Sequence, residues 1–236
     1  MGLSFKKIGD NEVEAEGGKQ ESVMEAELRN AAGSPVQKLR VELRWTQPVL
    51  ADRTEGGKVS KFLGKLTNTA READKKTDVD ANAVLFVGDE DVEFAGPDNL
   101  AAGEGFVKHR GNVISGSDDK PEIIDVDLKS LAEDPRTQDF TAIAFTASCF
   151  RGDFTKVTGA RVTFIDDTNG TSEVLDQIRF SITASNNPNG LPNNAALVAA
   201  VVKQDGVFHL RKGIKTYGRA NDWRGLAPLC RASVQV

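Results

Sequence analysis

Lys38-Leu39-Arg40-Val41-Glu42-Leu43-Arg44-Trp45 alternates charged and apolar side chains without a break. Successive side chains of a β-strand point to opposite faces, so this run puts Leu39, Val41, Leu43 and Trp45 on a dry face and Lys38, Arg40, Glu42 and Arg44 on a wet one. A helical turn would scatter the same four apolar residues around its circumference. One dry and one wet face is the pattern of an antiparallel sheet whose outer side meets solvent.

The runs on either side have the same character. Upstream, 3–8 and 22–30 read as strands. Downstream, 83–87, 106–109, 123–128, 141–148, 161–166, 174–182, 196–203 and 207–211 are short, rich in β-branched and aromatic residues, and punctuated by Gly, Asn, Asp and Pro. Two tight hairpins are signalled by Asn169-Gly170 and Asp205-Gly206, pairs that tolerate the positive φ such turns need. The stretch 184–194, with Asn186-Asn187-Pro188-Asn189-Gly190, reads as an irregular loop. The expected fold is all-β: a two-sheet antiparallel β-sandwich forming one domain over 1–236.

One segment breaks the pattern. Between Asp52 and Thr77, Val59, Phe62, Leu63, Leu66, Ala70 and Ala73 recur at three- and four-residue spacing, which lines one face of a helix. The segment 52–77 is therefore expected to be a helical insertion. Its stripe either packs on the sandwich or serves as a docking surface for another protein.

Composition narrows the function classes. The 236 residues carry 39% hydrophobic and 28% charged side chains, ordinary globular usage, and a net charge of −5 that gives no basic footprint for DNA or RNA. No apolar run reaches the ~18–20 residues of a membrane helix, and Met1–Lys7 has no signal-peptide core, so the expected location is cytoplasmic. Phe5-Lys6 stands where myristoylation requires Ser or Thr. Cys149 and Cys230, each beside an apolar residue, are too few for a disulfide framework or a zinc knuckle and read as buried thiols.

Catalytic signatures are absent from the sequence. There is no serine-nucleophile elbow and no paired-histidine zinc motif, and the Gly-Gly-Lys stretches at 17–19 and 56–58 lack the spacing and the Ser/Thr of a P-loop. His109 and His209 are the only histidines, and nothing in the sequence brings them together. A non-enzymatic protein is expected. The acidic loops are more informative, because a hard cation such as calcium takes about 6–8 oxygen ligands and loops after strands can converge carboxylates. Three clusters qualify: Asp78-Val79-Asp80 before an apolar strand, Asp98-Asn99 in a turn after Gly96-Pro97, and Asp118-Asp119 with Glu122 before the strand at 123–128. The spacing of Asp167, Asn169 and Gly170 does not fit an EF-hand loop.

From Asp78 onward the chain resembles the TerD family of bacterial tellurium-resistance and stress proteins. Asp78-Val79-Asp80-Ala81-Asn82-Ala83 is similar to that family's Asp-x-Asp-Ala-Ser-Ala, and Asp98-Asn99-Leu100 to its Asn-Asn-Leu turn. The likeness continues through Val107–Gly111, Glu122 with Val126-Asp127-Leu128, and Asp167–Glu173, and ends in Gly225-Leu226-Ala227-Pro228-Leu229-Cys230-Arg231. It is looser upstream: the family's Gly-Trp-Asp is here Arg44-Trp45-Thr46, and neither Glu12–Lys19 nor the insertion has a counterpart.

The resemblance implies a calcium-binding, non-catalytic protein of stress-response assemblies, with protein partners at the inner membrane surface. It carries Asp78, Asp80, Asn99, Asp118 and Glu122 onto the family's acidic positions, with Asp98, Asn112 and Asp119 beside them. Lys120-Pro121 stands in place of two aspartates, and Asn112-Val113 in place of an Asp-Asn pair. A lysine beside the ligands competes with a cation, and fewer carboxylates weaken the site. The expectation is one weak calcium site, held chiefly by Asp78, Asp80, Asn99 and Asp118. The competing reading is a metal-independent adaptor that holds its partner through 52–77; a hydrolase built on the Asp78 and Asp80 pair has the least behind it.

Overall fold

The computed structural model describes residues 2–15, 19–46, 78–113, 120–149, 154, 157–170, 172–180, 193–212 and 217–234. The expected helical insertion at 52–77, the loop around Asn186–Gly190, and Asp118 and Asp119 lie outside the described residues. The chain is a sandwich of two sheets, and each described strand pairing is antiparallel.

The decisive run forms β3 (Lys38–Thr46), with its apolar side chains buried and its charged ones toward solvent. Val41 lies opposite Phe164 of β10 (Thr158–Asp166) and Ile124 of β8 (Glu122–Asp127), so three strands aim their apolar positions at one layer. This second sheet runs β11 (Glu173–Arg179), β10, β3, β8, β7 (Val107–His109), β6 (Ala101–Ala102). The first sheet runs β1 (Lys6–Ala15), β2 (Lys19–Glu27), β13 (Val207–Lys212), β12 (Ala195–Gln204), β9 (Ala142–Ser148), β4 (Asp80–Val87), β5 (Glu90–Ala95), with β14 (Tyr217–Gly218) paired to β12. Both signalled hairpins form: Gly170 sits at φ 71° between β10 and β11, and Asp205 and Gly206 sit at 50° and 80° between β12 and β13.

Three elements depart from the sequence reading. Glu90–Ala95, which the sequence reading did not count among the strands, is β5 at the sheet edge, with Glu90 exposed and Asp91 and Glu93 half-buried. The C-terminal run forms a helix, α2 (Ala227–Val234), in addition to the short α1 (Leu128–Glu133), which is capped by Asp127 accepting from Ser130 N–H at 2.9 Å.

Helix α2 explains why β4, β9 and β12 read as continuous apolar runs instead of alternating. Their inner side chains, Leu85, Phe145 and Val201 among them, join β3 and β10 in the core between the sheets. Their outer ones, including Phe86, Ala144 and Leu197, are covered by Leu226, Ala227, Cys230 and Val234. Burying Leu226 alone contributes about 1.5–3 kcal/mol to that attachment. Cys149 and Cys230 are both buried, and burial pushes Cys230 up to about 12, leaving it neutral and inert at physiological pH. No helix among the described residues is long and apolar enough to cross a membrane.

Candidate metal centre

The two sheets meet at the end of the sandwich where β4 and β8 begin. Asp78 and Asp80 lead into β4, Glu122 opens β8, and one ligand oxygen from each lies within 4.8 Å of the others. Carboxylates at that separation repel each other by about 3 kcal/mol per pair at an effective dielectric constant near 20. A divalent cation turns the same arrangement from repulsive to attractive.

In front of Asp78 and Asp80 opens a cleft of about 300 Å³, with Glu122 buried outside its lining. Its acidic lining is Asp78, Asp80, Asp98 and Asp222, and no lysine or arginine stands among the described lining residues. Asn82, two residues after Asp80 on the same strand face, closes the floor and is wholly buried. Its Nδ2 donates to the Asp80 carbonyl at 3.2 Å and to Ser148 Oγ at 2.9 Å. With the amide protons committed there, Oδ1 has no hydrogen-bond partner. A buried amide oxygen without a donor is costly, and a bound cation supplies what it lacks. The donor set consists of oxygens, which suits a hard cation such as calcium or magnesium and not a thiolate-seeking metal.

Local geometry keeps this floor open. A Cβ on Gly96 would come within 2.7 Å of Asn82 Oδ1 and still closer to Phe94 Cζ, so only glycine lets the turn approach. Phe94 stacks on Trp223 with ring centroids 5.3 Å apart and planes 14° apart, and together they form an aromatic wall of the cleft. Arg224 lies over the Trp223 ring at 4.9 Å.

The structure brings together part of the predicted set. Asp78, Asp80, Asp98 and Asn112 line the cleft, and Asn112 Nδ2 donates to Asp78 Oδ2 at 3.2 Å. Asn99 serves the turn: its Nδ2 donates to the Phe94 carbonyl at 2.6 Å, and its backbone pairs with Gly96. Glu122 is fully buried; Oε2 accepts from Ala81 N–H at 2.6 Å and Oε1 from Val113 N–H at 3.0 Å. Lys120, expected to crowd the ligands, is exposed and outside the lining. The sequence reading missed Asn82, Asn221, Asp222 and Trp223. Asn82 carried a signal, as the one strongly polar residue in the apolar run from Ala81 to Val87. The turn from Asn221 to Trp223 carried none, since only the fold brings it to residues so distant in sequence.

The fold and site together define a two-sheet β-sandwich with an acidic cleft at one end. Neither the models of known protein families nor the curated proteins give a match to this sequence. Several solved structures do match in fold, two of them as follows. SCO6318 from Streptomyces coelicolor A3(2), a homologue of the telluride resistance protein TerD, superposes with a TM-score of 0.54 at 14% identity, covering 81% of this chain and 95% of that one. SAV2460, a protein of unknown function, gives 0.53 at 14% identity over 83% and 97%. The chain has a divergent TerD-like fold.

Proposed function

We propose that this protein is a TerD-like cation-binding protein of a bacterial stress response, which holds one calcium ion at the Asp78, Asp80 and Glu122 carboxylate cluster beside the cleft and works in the cytoplasm through protein assemblies without catalysis. The observation that carries the reading is the triad of carboxylate oxygens in front of the buried, donorless Asn82 Oδ1. The likeness to a TerD homologue supports it from the side of the fold. Asp78, Asp80, Asn82 and one Glu122 oxygen are the inner ligands in this reading. Asp98 and Asn112 reach the ion directly or through water, and water fills the remaining positions.

Terbium, which takes calcium's oxygen ligands and is excited through a nearby indole, tests the site directly. Trp223 lines the cleft, and Trp45 is buried at the same end of the sandwich, two residues past the Leu43 that pairs with Glu122. Sensitised emission that calcium displaces and that falls in Trp223→Phe is the expected result. Calcium at ~100 times its dissociation constant should also raise stability by about 2.7 kcal/mol over chelator. Equal stability in excess calcium and in chelator overturns the proposal.

A further inference from the structure

Glu122 is held from three sides, and the third is a histidine. His109, 3% exposed at the end of β7, places Nε2 3.4 Å from Glu122 Oε2, and both side chains are fully buried. The ring's other nitrogen settles the tautomer. Gly111 N–H donates to His109 Nδ1 at 3.0 Å, so Nδ1 is the acceptor and the proton sits on Nε2, directed at the carboxylate. That bond exists because Gly111, at φ 103°, folds the chain back over the ring two residues before it, a backbone shape reserved for glycine.

The donors are distributed unevenly over the carboxylate. Oε2 receives two, Ala81 N–H and His109 Nε2–H; Oε1 receives one, Val113 N–H. Each oxygen has two lone-pair positions, so Oε2 is filled and Oε1 keeps one open. Building on the cation site proposed above, we infer that His109 is its positioning residue: it occupies Glu122 Oε2 and so presents Oε1 alone to the ion, making Glu122 a one-oxygen ligand. Histidine and carboxylate here form a supporting pair one bond removed from the metal, the arrangement by which outer groups fix the orientation of inner ligands. The ring itself never touches the ion. Its removal leaves the carboxylate held by Ala81 N–H and Val113 N–H alone and opens the second lone pair of Oε2, so that Glu122 no longer presents a single oxygen to the site.

The test is calcium affinity by titration calorimetry at a temperature where circular dichroism shows each variant folded. A purely structural histidine would change melting temperature and leave the affinity of the folded protein untouched. His109→Leu, which cannot donate, is expected to weaken calcium binding by about 10–100-fold. His109→Gln, whose amide N–H reaches the same oxygen, is expected to restore affinity to within a few-fold of the starting protein. Should the leucine variant fail to fold, His109→Asn, one methylene too short to reach, takes its place with the same expected loss. Unchanged affinity in the leucine or asparagine variant overturns the positioning role, as does a glutamine variant no better than leucine. Absence of calcium binding in the unaltered protein is a different outcome and overturns the cation site itself.

Discussion

Replacing Asp80 by asparagine keeps the size of the side chain and removes one of the three charges that the fold gathers within 4.8 Å. Two repulsive pairs disappear, each about 3 kcal/mol at an effective dielectric constant near 20. Asp78 and Asp80 are partly exposed, and solvent screening reduces the relief to roughly 1–2 kcal/mol in total. The metal-free variant should therefore be more stable than the starting protein, its melting temperature raised by about 2–8 °C for a chain of this size. With calcium the order changes. The starting protein gains about 2.7 kcal/mol at ~100 times its dissociation constant, whereas a variant binding tenfold more weakly gains about 1.4 kcal/mol from the same solution. The assay is thermal or urea unfolding of both proteins, each in excess calcium and in chelator. A metal-free Asp80→Asn that is less stable than the starting protein, together with an undiminished calcium increment, would refute the reasoning, because the carboxylates would then be structural partners rather than a cation site.

Gly96→Ala should disturb the same cleft from its rim. The added Cβ meets Asn82 Oδ1 and Phe94, so the variant should lose about 1–3 kcal/mol in urea unfolding and show an altered near-ultraviolet signal from the Phe94 and Trp223 stack; an unchanged signal would show that the turn moves away freely. Asp134, far from the cleft, supplies a pH prediction. Hydrogen bonds from the Arg136 side chain and backbone lower its carboxyl from 3.8 to about 2, so its contribution to stability is fully present above pH 3.8 and fades as the pH falls through about 2. Proton titration by NMR should find that midpoint, and Arg136→Gln should return it toward 3.8; a midpoint near 3.8 in the unaltered protein counts against the contact.

The fold was legible where one local rule governed both strand and face. In β3 the period of two decides everything, and at Asn169-Gly170 and Asp205-Gly206 the turn chemistry fixes the hairpin. It was illegible where burial depended on a distant partner. Strands β4, β9 and β12 lack alternation because α2 covers their second face, and nothing local announces that helix: Pro228 near its start and its eight residues give a weak periodic signal. Strand β5 was hidden by Asp89, Glu90, Asp91 and Glu93, acids that an edge strand tolerates and a central strand would not. The site divides in the same way. Asp78 and Asp80 announce themselves as a pair before a strand. Asn82 reads as strand interior until its unpartnered oxygen is seen in the lining of a cleft, and Asn99, which reads as a ligand, is not among the residues that line it.

The origin of the ligands has its own consequence. An EF-hand gathers its oxygens from one contiguous loop of about twelve residues, so much of that site survives as a local unit. Here the carboxylates come from the start of β4 in one sheet and the start of β8 in the other, and the aromatic wall comes from β5 and the turn before α2. No short segment holds more than two of the three triad carboxylates, so the unfolded chain has no comparable site and nearly all the binding free energy appears as stabilisation of the folded state. That free energy also acts at one place. Glu122 joins the sheets there by accepting from Ala81 of β4 and from Val113 after β7, and α2 closes over the outer face of the same strand. A cation held at this point would clamp both sheets and the C-terminal turn together. Its loss would loosen that end, where Leu43 of β3 pairs with Glu122, while the core around Val41, Phe145 and Phe164 stays packed.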